Sequence, residues 1–245
     1  IRMPHGCRAG SCKSCRAKAL SGSVDVGRIF PAPKFLLRMR QFDGYTLMCR
    51  ESACSDLVIE VDEQPQLQVP RHRKAVVAAV ERLSTDVILL RLRVDIADAV
   101  IFSAGQYVDL AVEEGVRRSY SIANPPAAAG NEEVCFHVRH LPGGIFTDRL
   151  FNGQVEVGSE MDIEAPLGSF YLRESARPAV LLASGTGYAP ISSILLDTLP
   201  RRQGRRLVLY WGARKLADRY RMEEVVEMAS THASDFEFIP VLSEA

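Results

Sequence analysis

The chain lacks an excess of charge of either sign, because its 245 residues carry 30 basic and 30 acidic side chains. No net positive charge draws it to phosphates, so nucleic acid is a poor partner. The chain also lacks an uninterrupted apolar run, since the longest uncharged stretch, residues 178–196, has SGTGYAP at its centre. Two glycines and a proline there argue against a membrane span. We therefore expect no membrane insertion.

A secretory signal is missing too, because the sequence does not open on a basic segment followed by an apolar one and a small-residue cleavage site. This absence predicts a cytoplasmic protein with reduced thiols, in which clustered cysteines indicate a metal rather than disulfides. Internal repeats and low-complexity segments are absent as well. With 47% hydrophobic residues, the chain can form two or three domains with cores of their own.

The composition changes along the chain and predicts separate domains. Residues 1–64 contain most of the cysteines and end in SDLVIEV, which alternates like a strand, and residues 65–71 form a linker with two prolines. Short β-rich runs punctuated by glycine and proline then predict an antiparallel barrel or sandwich over residues 72–175. Strands alternate with helices over residues 176–245, which predicts an α/β domain with a parallel sheet.

The cysteines follow the spacing C-x4-C-x2-C, with a fourth in YTLMCRESACSDLVIEV; they are Cys7, Cys12, Cys15 and Cys49. This is the plant-type [2Fe-2S] pattern. Small residues in the loop let backbone N–H groups approach the sulfur atoms. Zinc is the alternative, but zinc ribbons usually supply two C-x2-C pairs, and the sequence has one. Cys54 competes with Cys49 as the fourth ligand.

The middle domain contains RSYS at residues 118–121, which combines a cation, an aromatic ring and a small hydroxyl. These groups are what a flavin site needs for the pyrophosphate, the isoalloxazine ring and its N5 atom. Alternation along a strand predicts that Arg118 and Tyr120 share a face, although an ordinary strand is the alternative. Downstream, PGGIFTDRL places Gly143, Gly144 and Thr147 before a helix, where free N–H groups predict a phosphate cradle.

The third domain contains LLASGTGYAPISSIL, in which Gly185, Thr186 and Gly187 follow a predicted strand and open a predicted helix. Glycines let a dinucleotide pyrophosphate approach the backbone, and the helix N-terminus offsets its charge. The motif lacks the third glycine of G-x-G-x-x-G, so a tight turn without a ligand is the alternative. Pro190 lies in the predicted first turn, where proline is tolerated.

Together these segments resemble the bacterial NADH-dependent oxygenase reductases, in which a plant-type [2Fe-2S] ferredoxin domain is fused to a ferredoxin-reductase-like FAD/NAD module. They also resemble the CDP-glucoseen reductases of deoxysugar formation. The matching segments are LMCRESACSDLVIEV, RSYS, HVR, PGG, PLGSF, GTGYAP and YWGARKLADRY. The resemblance implies a multidomain α+β and α/β fold: a partial β-grasp ferredoxin, an antiparallel six-stranded Greek-key flavin barrel and a truncated parallel α/β nucleotide-binding domain.

The resemblance also implies roles for single residues. Cys49 rather than Cys54 becomes the fourth cluster ligand. Arg118 would contact the flavin phosphate, Tyr120 would pack on the ring, and Ser121 would lie near N5, which makes the last two the catalytic candidates. The other implied contacts with the flavin and the nucleotide are Ser119, His137, Val138, Arg139, Gly143, Gly144, Thr147, Gly185, Thr186, Gly187, Pro190, Arg214 and Tyr220.

The implied activity is electron transfer from NADH to FAD and then, one electron at a time, through the cluster to a partner oxygenase or its ferredoxin. The preferences for FAD over FMN and for NADH over NADPH come from the resemblance, and we expect a monomer. Electron delivery to an iron–sulfur dehydrase is the alternative. A non-catalytic remnant is another, because the family's initial β-hairpin and final C-G-P-x-M segment are missing from the sequence, which we expect to be a partial chain.

The first 50 residues contain ten lysines and arginines but only two carboxylates, Asp25 and Asp43. These cations either guide an acidic partner protein to the cluster or offset the charge of the cluster and solvate a surface. Both interpretations stay open from the sequence.

Overall fold

A computed structural model of the chain describes residues 15–26, 44–61, 68–201, 204–215 and 220–242. Its contacts divide the chain into two compact units, Ile1–Leu67 with Gly168–Phe170, and Gln68–Leu167 with Tyr171–Ala245. The predicted ligands Cys7 and Cys12 lie outside the described residues. Within the described ranges, each helix is too short or too polar to cross a bilayer.

The first unit contains two small antiparallel sheets. Its strands are β1 (Arg16–Ser21), β2 (Val24–Val26), β3 (Tyr45–Leu47), β4 (Glu51–Ala53) and β5 (Val58–Glu60). β1 lies between β3 and β5, and β2 pairs with β4. Alternation along paired β1 and β3 buries Ala17 and Thr46, whereas Arg16 and Lys18 are exposed.

Six antiparallel strands form the large sheet of the second unit. They are β6 (Arg71–Arg82), β7 (Val87–Val94), β8 (Tyr107–Glu113), β9 (Val116–Ser121), β10 (Glu133–Arg139) and β11 (Glu160–Leu167). The order across the sheet is β10-β7-β6-β11-β8-β9. The sheet curls so that its edge strands β9 and β10 approach each other. The predicted six-stranded antiparallel flavin fold is thereby confirmed, as a curled half-barrel.

The period-2 pattern of these strands builds the barrel core. In β7, Leu90 and Leu92 are fully buried, while the intervening Arg91 is partly exposed. A short helix, α1 (Ile145–Phe151), closes the core with Phe146 and Leu150. The inside of the barrel is therefore filled by side chains, and a cofactor must bind along its outer edges and loops.

A three-stranded parallel sheet follows, as predicted. Its elements are β12 (Ala179–Ser184), α2 (Tyr188–Thr198), β13 (Leu207–Ala213), α3 (Met222–Thr231) and β14 (Phe236–Leu242), and the strand order is β12-β13-β14. Leu209 and Trp211 of β13 are buried in one core cluster with Ile191 of α2 and Val225 of α3. Because the strands run parallel, their carboxyl ends meet at one edge, where such sheets usually bind ligands.

Candidate cofactor sites

Two of the predicted cluster ligands lie side by side in the first unit. The Sγ atoms of Cys15 and Cys49 are 3.1 Å apart, and Cys15 is only 2% exposed. This separation exceeds the roughly 2.05 Å of a disulfide bond, so neither cysteine is oxidised and both sulfur atoms are available as thiolate ligands of one metal centre. Cys54 is exposed, and its sulfur lies 3.8 Å from the carbonyl oxygen of Ser52. The pair fits the predicted cluster and favours Cys49 over Cys54.

Arg118 and Tyr120 lie on one face of β9, opposite Leu110 and Val108 of β8. The Tyr120 ring packs at 6.4 Å from Phe136 and 5.6 Å from Phe146, while the guanidinium of Arg118 is exposed. Burial raises the pKa of Tyr120 to about 12, against the opposing effect of Arg118. The Tyr120 hydroxyl therefore stays protonated and can donate a hydrogen bond at neutral pH.

The serines of RSYS lie on the other face of β9. Ser119 donates a hydrogen bond from Oγ to Oδ1 of Asp109 at 2.5 Å, which is a bond within the protein. Ser121 is half-buried at the end of the strand, opposite Tyr107. The motif thus divides into a cationic and aromatic face and a hydroxyl face, as strand alternation requires.

The PGG turn is arranged differently from the predicted cradle of free N–H groups. The N–H of Gly143 donates to Oδ2 of Asp148 at 3.0 Å, and the N–H of Gly144 donates to the Leu141 carbonyl at 2.8 Å. Thr147 lies inside α1, and its hydroxyl donates to that same carbonyl at 2.9 Å. The expectation of free donors at both glycines was wrong, because the turn itself uses them. A Cβ at Gly144 would lie 2.5 Å from Oγ1 of Thr147, so glycine is needed there for packing.

The outward face of β10 points toward the nucleotide-binding domain, while Val138 is buried in the barrel core. His137 is 6% exposed, and its Nδ1 lies 3.0 Å from the hydroxyl of Tyr220. Arg139 forms an ion pair with Asp86, with 3.0 Å between Nε and Oδ2. Strand β10 therefore turns its polar side chains away from the barrel core.

A cleft of about 270 Å³ lies where these features meet the carboxyl ends of the parallel strands. Its walls are Arg139, Ser184, Gly185, Gly212, Ala213, Arg214 and Val241. The predicted phosphate turn, Gly185–Gly187, is a single 3-10 turn that leads into α2, with Pro190 in the first helical turn as expected. The two arginines are the charged residues of the lining, so the cleft suits an anion such as a dinucleotide pyrophosphate.

Two buried aromatic residues, whose roles the motifs did not reveal, contact the Gly185–Gly187 turn or the helix that follows it. The indole N–H of Trp211 donates to the Gly185 carbonyl at 3.1 Å, and Tyr188 stacks on the indole with 4.2 Å between ring centroids. Both side chains are fully buried. Asp86 was also missed, since it lies 53 positions from its partner Arg139 in the chain. The sequence offered one indication of the Trp211 contact: the single tryptophan of the chain lies beside a glycine in the segment WGAR.

Family descriptions match the chain in three consecutive segments. They are a 2Fe-2S iron-sulfur cluster binding domain over residues 1–55, an oxidoreductase FAD-binding domain over residues 74–171 and an oxidoreductase NAD-binding domain over residues 181–245. Their order agrees with the order of the sites described above.

Known proteins match this chain at substantial identity over most of its length. The xylene/toluene monooxygenase electron transfer component XylA of Pseudomonas putida is 35% identical over 246 residues, which is 100% of this chain and 68% of the relative. The CDP-6-deoxy-L-threo-D-glycero-4-hexulose-3-dehydrase reductase of Yersinia pestis is 35% identical over 214 residues, which is 86% of this chain and 63% of the relative. The chain thus spans about two thirds of their length.

A solved structure, the Amycolatopsis cytochrome P450 reductase GcoB, matches with a TM-score of 0.75 and 33% identity over 100% of this chain and 73% of that protein. The chain belongs to the ferredoxin-reductase-like oxidoreductases that combine FAD-binding, NAD-binding and 2Fe-2S domains, the family of these reductase components.

Proposed function

We propose that the protein passes electrons from NADH through FAD and a [2Fe-2S] cluster to an oxygenase component or its ferredoxin. One observation carries the proposal. Arg139, a residue of flavin-barrel strand β10, lines the cleft that the nucleotide turn at Gly185 also lines. A nucleotide in this cleft would therefore lie directly beside the flavin-binding fold. The names of the relatives, an electron transfer component and two reductases, support the direction of transfer.

The residues of this chain bind and orient the cofactors, and the redox chemistry belongs to the bound FAD, cluster and nucleotide. Arg118 supplies a positive charge for the flavin phosphates, and Tyr120 offers an aromatic face together with a protonated hydroxyl. Ser121, half-buried at the end of β9, would offer its hydroxyl to the reacting edge of the flavin. Cys15 and Cys49, with Cys7 and Cys12, would hold the cluster as thiolates.

An anaerobic stopped-flow experiment tests this relay. Mixing the FAD- and iron-loaded protein with NADH should bleach the flavin absorbance, and an EPR spectrum of the frozen product should show a rhombic reduced [2Fe-2S] signal. Bleaching of the flavin without the EPR signal would show that the cluster does not accept electrons from the flavin. No bleaching at all would contradict the proposal and favour a non-catalytic remnant.

The dehydrase reductase of Yersinia pestis makes deoxysugar formation the second candidate, with an iron–sulfur dehydrase as the acceptor. Both candidates share the NADH-to-cluster path and differ only in the protein that receives the electrons. We favour an acidic acceptor, because Arg16 and Lys18 are exposed on β1 directly after Cys15. The rate of acceptor reduction should then fall as ionic strength rises, and a rate independent of salt would refute this steering.

A further inference from the structure

The two arginines of the nucleotide cleft come from distant parts of the chain. Arg139 ends β10 of the flavin barrel, whereas Arg214 follows β13 of the parallel sheet. A dinucleotide pyrophosphate carries its charge on two linked phosphates, so two cations bind it well only at a suitable spacing. Something must therefore hold the segment after β13 at a fixed distance from β10.

One hydrogen bond connects these segments close to the cleft. The Tyr220 hydroxyl lies 3.0 Å from Nδ1 of His137, and the two rings meet edge to face at 5.2 Å. His137 precedes Arg139 by two residues on the same face of β10. Tyr220 follows Arg214 by six residues, just before α3 begins at Met222. The bond thus joins β10, which carries Arg139, to Tyr220, whose ring also meets Trp211 edge to face at 5.6 Å. Trp211 lies in β13, three residues before Arg214.

The protonation states of the two side chains decide which of them donates the hydrogen bond between Tyr220 and His137. Burial, together with the nearby Arg221, lowers the pKa of His137 to about 3, so its imidazole is neutral at physiological pH. Burial raises the pKa of the Tyr220 hydroxyl, which therefore keeps its proton. Tyr220 must then donate and Nδ1 must accept, which leaves the imidazole proton on Nε2. Removing either partner leaves a buried polar atom without its bond.

We propose that Tyr220 and His137 are positioning residues for nucleotide binding, whose hydrogen bond sets the spacing of Arg139 and Arg214 across the cleft. This inference rests on the proposed function in one respect, that the cleft takes a pyridine dinucleotide. It gives Tyr220 an indirect role, in contrast to the direct nucleotide contact that the resemblance implies.

The test is a double-mutant cycle in the FAD-loaded protein, with Tyr220→Phe, His137→Leu and the double variant. The equilibrium dissociation constant of NAD+, a ligand that cannot reduce the flavin, is measured by calorimetry. We expect each single variant to weaken binding about fivefold, which corresponds to about 1 kcal/mol for a neutral hydrogen bond. The double variant should also be about fivefold weaker rather than 25-fold, because both changes remove one interaction.

A conservative variant separates positioning from folding. In His137→Asn the amide oxygen replaces Nδ1 as the acceptor, so the affinity for NAD+ should return to within about twofold of the wild type. The affinity of His137→Leu should stay about fivefold lower. Melting temperatures of all variants are recorded alongside. Lower melting temperatures with unchanged NAD+ affinity would show a merely structural role and overturn the proposal.

The remaining outcomes are also decisive. Additive losses in the double variant would show that Tyr220 contacts the nucleotide independently of His137, which overturns the proposal. If the wild type binds NAD+ but NADH does not bleach its flavin, the proposed function fails while the binding cycle still decides on Tyr220. If the wild type does not bind NAD+, both fail.

Discussion

Gly185 offers the sharpest test of how the nucleotide turn is built. Its φ is +50°, in the left-handed region that costs a residue with a Cβ about 1–2 kcal/mol. A Cβ there would also lie 2.8 Å from Nη1 of Arg139. That atom is the far end of a flexible side chain, so it can move away without much loss of stability. Gly185→Ala should therefore lower the free energy of unfolding by about 1–2 kcal/mol, chiefly through φ.

Displacement of the Arg139 side chain should weaken NAD+ binding rather than lower the stability of the protein. For a unit of this size, the loss of 1–2 kcal/mol corresponds to a melting temperature lower by about 2–8 °C in differential scanning calorimetry. A charged group that no longer reaches its phosphate loses about 1.5 kcal/mol or more, so the dissociation constant of NAD+ should rise about tenfold.

Gly187→Ala is the matched control two residues further along the same turn. Gly187 has φ −58° and ψ −11°, and a Cβ there would meet no atom within 4 Å. This variant should keep or slightly raise the melting temperature, because alanine fits the backbone and restricts the unfolded chain. Equal destabilisation by both variants, or wild-type NAD+ affinity in Gly185→Ala, would refute this account of Gly185.

Three further predictions concern the other sites. Ser121→Ala should slow flavin reduction by NADH in stopped flow, and an unchanged rate would exclude Ser121 from the reacting edge. Cys49→Ser should abolish the reduced-cluster EPR signal while Cys54→Ser keeps it; the opposite result would make Cys54 the ligand. Because burial lowers the pKa of His137 from 6.5 to about 3, the unfolded state takes up a proton that the folded state does not as the pH falls below 6.5. The contribution of neutral His137 to the free energy of unfolding is therefore complete above about pH 7. It is lower by about 2 kcal/mol at pH 5 and reaches its minimum near pH 3. Urea unfolding of His137→Asn should lack this share of the pH dependence, and an unchanged pH profile would contradict it.

The sequence pattern predicted most of the second unit because its strands are short apolar runs rich in β-branched residues and leucine, separated by glycine and proline. The apolar runs VILLRLRV and AVLLAS predict strands, and the spacing in MEEVVEMAST predicts a helix. They coincide with β7, β12 and α3. Buried aliphatic residues dominate these segments, so their local pattern is enough to predict them. Helix α2 begins at Tyr188, directly after the turn that was predicted to open it, and Tyr188 packs there on Trp211.

Predictions about the sites were limited by distance along the chain. A motif names the residues of one segment, so RSYS and GTG could be found without knowing which atoms surround them. The donors of the PGG turn were misjudged for another reason: Asp148 lies in the same segment, but the sequence does not show that its carboxylate accepts the Gly143 N–H. The partnerships of Arg139 with Asp86 and of His137 with Tyr220 join residues 53 and 83 positions apart, and no local pattern encodes them.

The indole beneath the nucleotide turn gives the protein a built-in spectroscopic probe. Trp211 is the one tryptophan of the chain, and its N–H donates to Gly185 itself. Selectively excited indole emission therefore comes from a single site, with no label attached. A ligand that moves the turn must change the environment of this hydrogen bond, so nucleotide binding can be followed by fluorescence even in variants whose flavin no longer reacts.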